Sequence, residues 1–232
     1  MVVVVTGASQ GIGRAIAEAF AARDGAQVAL VARTESKLEA TAEACRDRGG
    51  EARVLSADVT DAAAVADVAE TVRAEWGVPD VLVNNAGLFR YAPLDELTLE
   101  GFREQLDVNL TGTFAVTQAF LPAMRECGAG HLFFVGSVAS LQAYPGNAGY
   151  CAAKHGVRGL ARTVREETKD EGLRVTTVLP GATYTPTWDG VDLPEDRFMP
   201  PEDVAQAVVD AAHLSDRTVV EELLLRPQEG DV

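Results

Sequence analysis

Met1-Val2-Val3-Val4-Val5-Thr6-Gly7-Ala8-Ser9-Gln10-Gly11-Ile12-Gly13 decides the fold. Its β-branched opening reads as a strand buried on both faces. Three glycines follow at once, and Ile12, Ile16, Ala19 and Phe20 then fall on one face of a helix running to about Arg23. The order strand, glycine loop, helix gives the motif its meaning. Glycines let the backbone turn tightly and lie close to a pyrophosphate. The free N–H groups and positive dipole end of the helix face the same phosphates.

Strand and helix patterns alternate through the rest of the chain. That argues for an α/β fold with a parallel sheet and helices on both faces. Strands are expected at Gln27 to Ala32, Arg53 to Ala57, Asp80 to Val83, His131 to Val135, Leu173 to Leu179 and Val220 to Leu225. Helices fall between them, including one long helix from Leu99 through Asn109 to about Glu126, kinked at Pro122. No repeat or linker interrupts the pattern, so residues 1–232 are expected to form one domain that includes the substrate site.

In an open parallel sheet, ligands bind at the carboxyl ends of the strands. The second strand ends in Ala32-Arg33 with no carboxylate at its tip. A guanidinium there can pair with a 2′-phosphate, which favours NADP(H) and leaves NAD(H) possible; the alternative is an arginine facing solvent. Asp58 either reaches an adenine amino group or caps its turn with Asp61. Asn84-Asn85-Ala86-Gly87 ends the fourth strand, where two amides and a glycine can brace the loop. Asn109 sits in an apolar stretch and demands partners, either backbone or a held water. Ser137 ends the fifth strand. Tyr150 and Lys154 are four apart, one turn from each other on one helix face. An ammonium there lowers the phenol pKa and suits Tyr150 to acid/base work, with Ser137 bonding the reacting oxygen. Read alone, the pair is equally a surface feature of an ordinary helix.

Composition narrows the partners. The 35 acidic and 20 basic residues leave a net charge of −15, which argues against nucleic acid and anionic membranes. No apolar run reaches the roughly 20 residues of a membrane span, and no signal peptide is recognisable at the start. Cys45, Cys127 and Cys151 are scattered, as in a reducing cytoplasm. His131, His155 and His213 form no ligand motif, so no metal site is expected.

The ordered set Thr6-Gly7-x-x-x-Gly11-x-Gly13, Asp58-Val59, Asn84-Asn85-Ala86-Gly87, Asn109, Ser137, Tyr150-x-x-x-Lys154, and Pro180-Gly181 with Thr185 resembles the short-chain dehydrogenase/reductase family over nearly the whole chain. The resemblance implies a doubly wound Rossmann fold with a seven-stranded, mostly parallel sheet. It implies an oxidoreductase that moves hydride between a nicotinamide and a carbonyl/alcohol pair. Tyr150 would be the acid/base, and Lys154 would hold the nicotinamide ribose. Ser137 would steady the substrate oxygen, and Asn109 would hold a water linked to Lys154. Gly7, Ser9, Gln10, Gly11, Ile12 and Gly13 would line the pyrophosphate. Arg33, Asp58, Val59, Asn85, Ala86 and Gly87 would serve the adenosine side, and Pro180, Gly181, Thr183 and Thr185 the nicotinamide. Relatives pair subunits through the helices at Leu106 to Phe120 and Val157 to Val164, so a homodimer or homotetramer is expected. Leu88, Phe89, Tyr91, Ser140, Tyr144, Trp188 and Met199 are candidates for the substrate rim. Two other functions stay open: an NAD(H)-dependent alcohol or hydroxy-acid dehydrogenase, and a non-catalytic dinucleotide-binding regulator.

Overall fold

Continuous apolar strands can be buried only if helices cover both faces of the sheet, and that is the arrangement of the chain. A computed structural model describes residues 1–231. Seven strands pair in the order β3-β2-β1-β4-β5-β6-β7. They are β1 (Val2–Thr6), β2 (Gln27–Ala32), β3 (Glu51–Ser56), β4 (Val81–Asn84), β5 (Gly130–Val135), β6 (Leu173–Pro180) and β7 (Glu222–Leu225). Every neighbouring pair is parallel, so the sheet is wholly rather than mostly parallel. The strand order reverses between β1 and β4, and at such a switch point the loops diverge and leave a crevice.

Helices α1 (Gly11–Ala21), α2 (Glu35–Asp47) and α7 (Pro201–Ala212) cover one face. Their core joins Ile16, Phe20, Leu38 and Val208 to Val3, Val5 and Phe133 of the strands. Helices α3 (Ala62–Trp76), α5 (Gly112–Cys127) and α6 (Ala148–Thr168) cover the other, where Val68, Phe120 and Val157 pack on Val4, Leu82 and Phe134. Alternation along each strand thus feeds two separate cores. No helix among the described residues is long and apolar enough to cross a membrane.

The long helix expected from Leu99 is not continuous. α4 (Leu99–Leu106) runs into one π turn, Asp107–Thr111, before α5 begins. Apolar spacing barely registers one extra residue per turn, which is why sequence periodicity passes over it. Polar side chains hold the turn. The Thr113 hydroxyl donates to the Asn109 carbonyl at 2.7 Å, and Thr117 repeats the contact to Thr113 at 2.8 Å. Pro122 lies inside α5.

His131 is fully buried on β5 and stacks on Phe133 with ring centroids 4.0 Å apart. Its Nε2 lies 2.7 Å from the Thr176 hydroxyl. Thr176 donates its own proton to the Val220 carbonyl, so Nε2 must be the donor. Burial holds its pKa down at about 3, helped by the Arg174 charge. A neutral-only site stabilises the fold above the unfolded pKa near 6.5 and loses that contribution as pH falls towards 3. The slope reaches about 1.4 kcal/mol per pH unit. Urea unfolding between pH 7 and pH 5 should show this slope in the native protein and a shallower one in His131→Gln, whatever that variant's absolute stability. Equal slopes would remove His131 as the cause.

Candidate active site

The site starts at the carboxyl tips of β1 and β4. Gly7 follows β1 with φ +66°, a conformation that disfavours side chains with a Cβ. The Thr6 hydroxyl donates to the Val83 carbonyl and accepts the Asn85 and Ala86 N–H groups at 2.9 and 3.0 Å. Asn85 Nδ2 returns to the Thr6 and Gly7 carbonyls at 2.9 and 3.3 Å. Asn85 therefore braces the glycine loop with its side chain. A Cβ on Gly13 would stand 2.3 Å from Asn85 Nδ2 and 2.4 Å from the Gly7 carbonyl oxygen, so only glycine fits there. α1 starts from Gln10 with no side-chain cap, which leaves its first N–H groups free for an anion.

One cleft of about 540 Å³ runs along this edge of the sheet. The expected glycine-loop residues line it, as do Arg33, Asp58, Val59, Asn85, Ala86 and Gly87. Ser137, Tyr150 and Lys154 form its middle wall, and Pro180, Gly181, Thr183 and Thr185 its far side. Asn109 does not line it. The Asn109 amide donates to the Leu88 and Gln105 carbonyls at 2.7 and 2.8 Å and accepts the Leu88 N–H at 3.2 Å. Both its donors go to main chain, so the side chain braces the Leu88 loop. It is also the atom a Cβ on Gly87 would strike, at 2.9 Å.

At the adenosine end, Arg33 lies 3.9 Å from the Asp58 carboxylate. Asp58 accepts from the Thr60 N–H and hydroxyl at 2.9 and 2.8 Å, and Asp61 separately caps α3. Asp58 Oδ1 thus caps its turn, while Oδ2 stays on the cleft wall near Arg33, where the adenine contact also remains open. Burial pushes its pKa up, but the Thr60 bonds and the Arg33 charge outweigh that and leave it below the ordinary value. Lys37, which sequence reasoning missed, reaches back from α2 to Gln10 Oε1 at 2.8 Å and lines the cleft beside Arg33. Its spacing of four from Arg33 was the available signal.

At the catalytic end, Ser137 ends β5 and opens a single 3₁₀ turn. Its Oγ accepts the Ala139 N–H while Ser140 Oγ accepts the Ser137 N–H, so the Ser137 proton is left to donate. Lys154 is buried and donates to the Val135 carbonyl at 2.8 Å. Its ammonium lies 5.6 Å from the centre of the Tyr150 ring. Phe89 meets that ring edge-on at 5.1 Å. Burial draws Lys154 down to about 8. Burial also raises the Tyr150 pKa, with the nearby Ser137 hydroxyl pulling the other way. The lowering of the phenol expected from the ammonium is not seen; desolvation dominates, and the Ser137 hydroxyl is the group that lowers it.

Phe89, Tyr144 and Trp188 line the cleft as expected of a substrate rim. Leu88, Tyr91, Ser140 and Met199 do not. Tyr91 points to solvent and leans on Gly146, Ser140 is consumed in the Ser137 turn, and Met199 is buried in the core. Asn147 and Asp231 line the cleft without having been expected there.

The model for short chain dehydrogenases matches residues 1–195. A sepiapterin reductase from Chlorobaculum tepidum is 41% identical over 238 aligned residues, covering 100% of this chain and 98% of that protein. A D-threitol dehydrogenase from Mycolicibacterium smegmatis is 38% identical over 219, covering 90% and 84%. The structure of an alcohol dehydrogenase from the archaeon Thermococcus sibiricus, complexed with 5-hydroxy-NADP, superposes with a TM-score of 0.89 at 37% identity, covering 98% of this chain and 96% of that one.

The Gly13 contacts predict that Gly13→Ala breaks the Asn85 brace. Overpacking of this kind costs about 1–3 kcal/mol. Urea unfolding should show that loss, together with weakened dinucleotide binding. Native stability and binding in Gly13→Ala would mean the loop gives way freely.

Proposed function

Because the chain belongs to the short-chain dehydrogenase family, a family of oxidoreductases that use a nicotinamide dinucleotide, we propose that it is an NADP(H)-dependent reductase of a small carbonyl compound, with Tyr150 as proton donor. The observation that carries the reading is the order of groups along one cleft: two cations, Arg33 and Lys37, then the glycine loop, then Ser137, Tyr150 and Lys154.

The chain's residues fit the dinucleotide. The uncapped start of α1 takes the pyrophosphate. Arg33 and Lys37 pair with the 2′-phosphate, and Arg33 exchanges its long contact with Asp58 for that partner. Lys154 hydrogen-bonds the ribose beside the nicotinamide. The bound dinucleotide supplies the hydride. Ser137 donates to the substrate carbonyl oxygen and polarises it, and Tyr150 gives that oxygen its proton. A phenol whose pKa is raised by burial stays protonated at neutral pH, which suits it to donate in the direction of reduction. Asn109 acts through what it holds, the Leu88 loop and the floor under Lys154. Residues 1–232 act as one unit, and subunits pair through α5 and α6 as in relatives.

Fluorescence titration should show NADPH binding about tenfold or more tighter than NADH. Arg33→Glu should remove most of that preference, since charge-assisted bonds contribute roughly 1.5–3 kcal/mol each. Equal affinities in the native protein would overturn the phosphate assignment and favour NAD(H). Tyr150→Phe should bind NADPH normally while turnover falls by about 10²–10⁴; near-native turnover would remove Tyr150 from the chemistry.

A further inference from the structure

Asn147 heads α6, three residues before Tyr150, where an asparagine ordinarily accepts a hydrogen bond from the second or third N–H of its helix. It does not do so here. Its backbone holds φ −122° and ψ 31°, and its side chain makes no cap. Its Oδ1 is buried with no partner among the described residues. Its main chain is fully occupied, with its N–H donating to the Tyr144 carbonyl and its carbonyl accepting from Cys151. Leaving a buried acceptor unpaired costs about 1–3 kcal/mol, and the forgone cap about 1 more. Residues three apart on a helix are neighbours, so this amide stands beside Tyr150 on the wall of the cleft.

A second orphan lines the same cleft. Asp231 takes three donors on Oδ2, from Tyr144, Gln142 and Arg226, while its Oδ1 is buried with none. Burial pushes its pKa up, but those bonds and the Arg226 charge hold it below the ordinary value, so the group is a carboxylate. Tyr144 is pushed up by burial and by Asp231 and keeps its proton, which is committed to that carboxylate. This end of the cleft therefore holds two unfilled acceptors, the carboxylate's charge being paired with Arg226.

We propose that Asn147 is a substrate-recognition residue. Its amide oxygen accepts a hydrogen bond from a hydroxyl or N–H group carried near the reacting carbonyl, and Asp231 Oδ1 accepts from a further donor on the same molecule. The substrate class is a carbonyl compound rich in donors, such as an α-hydroxy ketone. Hydrocarbon ketones leave both acceptors unpaired. The inference rests on the reductase reading above.

The test compares acetoin with butanone, which lacks the hydroxyl, in NADPH-dependent reduction. The native protein should favour acetoin in kcat/KM by about tenfold or more, because a site built to bond a donor rejects the analogue without it. Asn147→Ala should lose about tenfold on acetoin, chiefly in KM, and nothing on butanone or on NADPH affinity. Its free-protein Tm should be unchanged or higher, since the variant removes an unpaired buried group. Equal kcat/KM for the two ketones in the native protein overturns the inference alone. So does an equal loss on both ketones in Asn147→Ala with a Tm drop of about 5 °C or more, which marks a structural cap. A native protein that binds NADPH and reduces neither ketone counts against the reductase reading and the inference together.

Discussion

One hydroxyl ties the site together. Thr6 Oγ1 donates to the Val83 carbonyl and accepts two N–H groups of the β4 loop, so all its hydrogen-bonding capacity is spent joining the tips of β1 and β4. These are the strands between which the sheet order reverses. Elsewhere the ladder itself holds neighbouring strands together, but past the last register pair the two loops separate. Without this pin and the returning Asn85 amide, Gly7 would have no reason to hold its left-handed turn and α1 no fixed starting point. The phosphate-facing N–H groups, the Gly13 contact and the position of Gly87 under Lys154 all follow from it.

Burial sets the electrostatics of the other end. Lys154 and Tyr150 each lose water on folding, which pushes the lysine towards neutrality and the phenol towards keeping its proton. Lys154 has one carbonyl partner in compensation. The two shifts oppose the simple charge-pair argument, because desolvation is the leading cause of both and the ammonium stands 5.6 Å from the ring centre. Hydroxyl groups arriving beside Lys154 would restore hydrogen bonds to the ammonium and favour its charged form. The free site is therefore electrically incomplete in a way that a polyhydroxylated ligand corrects.

Local spacing made much of this legible in the sequence. The glycine loop, the Tyr150–Lys154 pair and the strand-end residues Arg33, Asn85 and Ser137 each act through neighbours a few residues away or through a strand terminus whose place the alternation fixes. The parts that escaped depend on distant pairings or on choices between equivalent partners. Asp231 meets Tyr144 from 87 residues away, and no periodicity announces a carboxylate in a terminal segment. Asn147 looks like an ordinary helix start until its cap bond proves missing. The π turn hides because Leu106, Leu110 and Phe114 keep a nearly helical spacing while Thr113 and Thr117 hydroxyls take the displaced carbonyls. Asp58 offered two roles of equal merit, and the bonds of one oxygen to Thr60 leave the other oxygen free for the second.

The two ends of the cleft differ in how their polar groups are satisfied. At the adenosine end, Asn85, Asp58, Thr6 and Gln10 all have protein partners, so the groove holds its shape by itself and any matching dinucleotide meets a finished surface. At the substrate end, two buried acceptors have none. Asn84 Oδ1 on β4 is unpaired as well but lies off the cleft, whereas these two stand on its wall, where an apolar replacement would stabilise the free chain. The most economical physical reading is that the missing donors come from outside. On that view the glycine-loop half of the cleft is shaped by the needs of the fold as much as of a ligand, whereas the Asn147 half is left less stable than it could be and keeps hydrogen-bonding capacity that a donor from outside would fill.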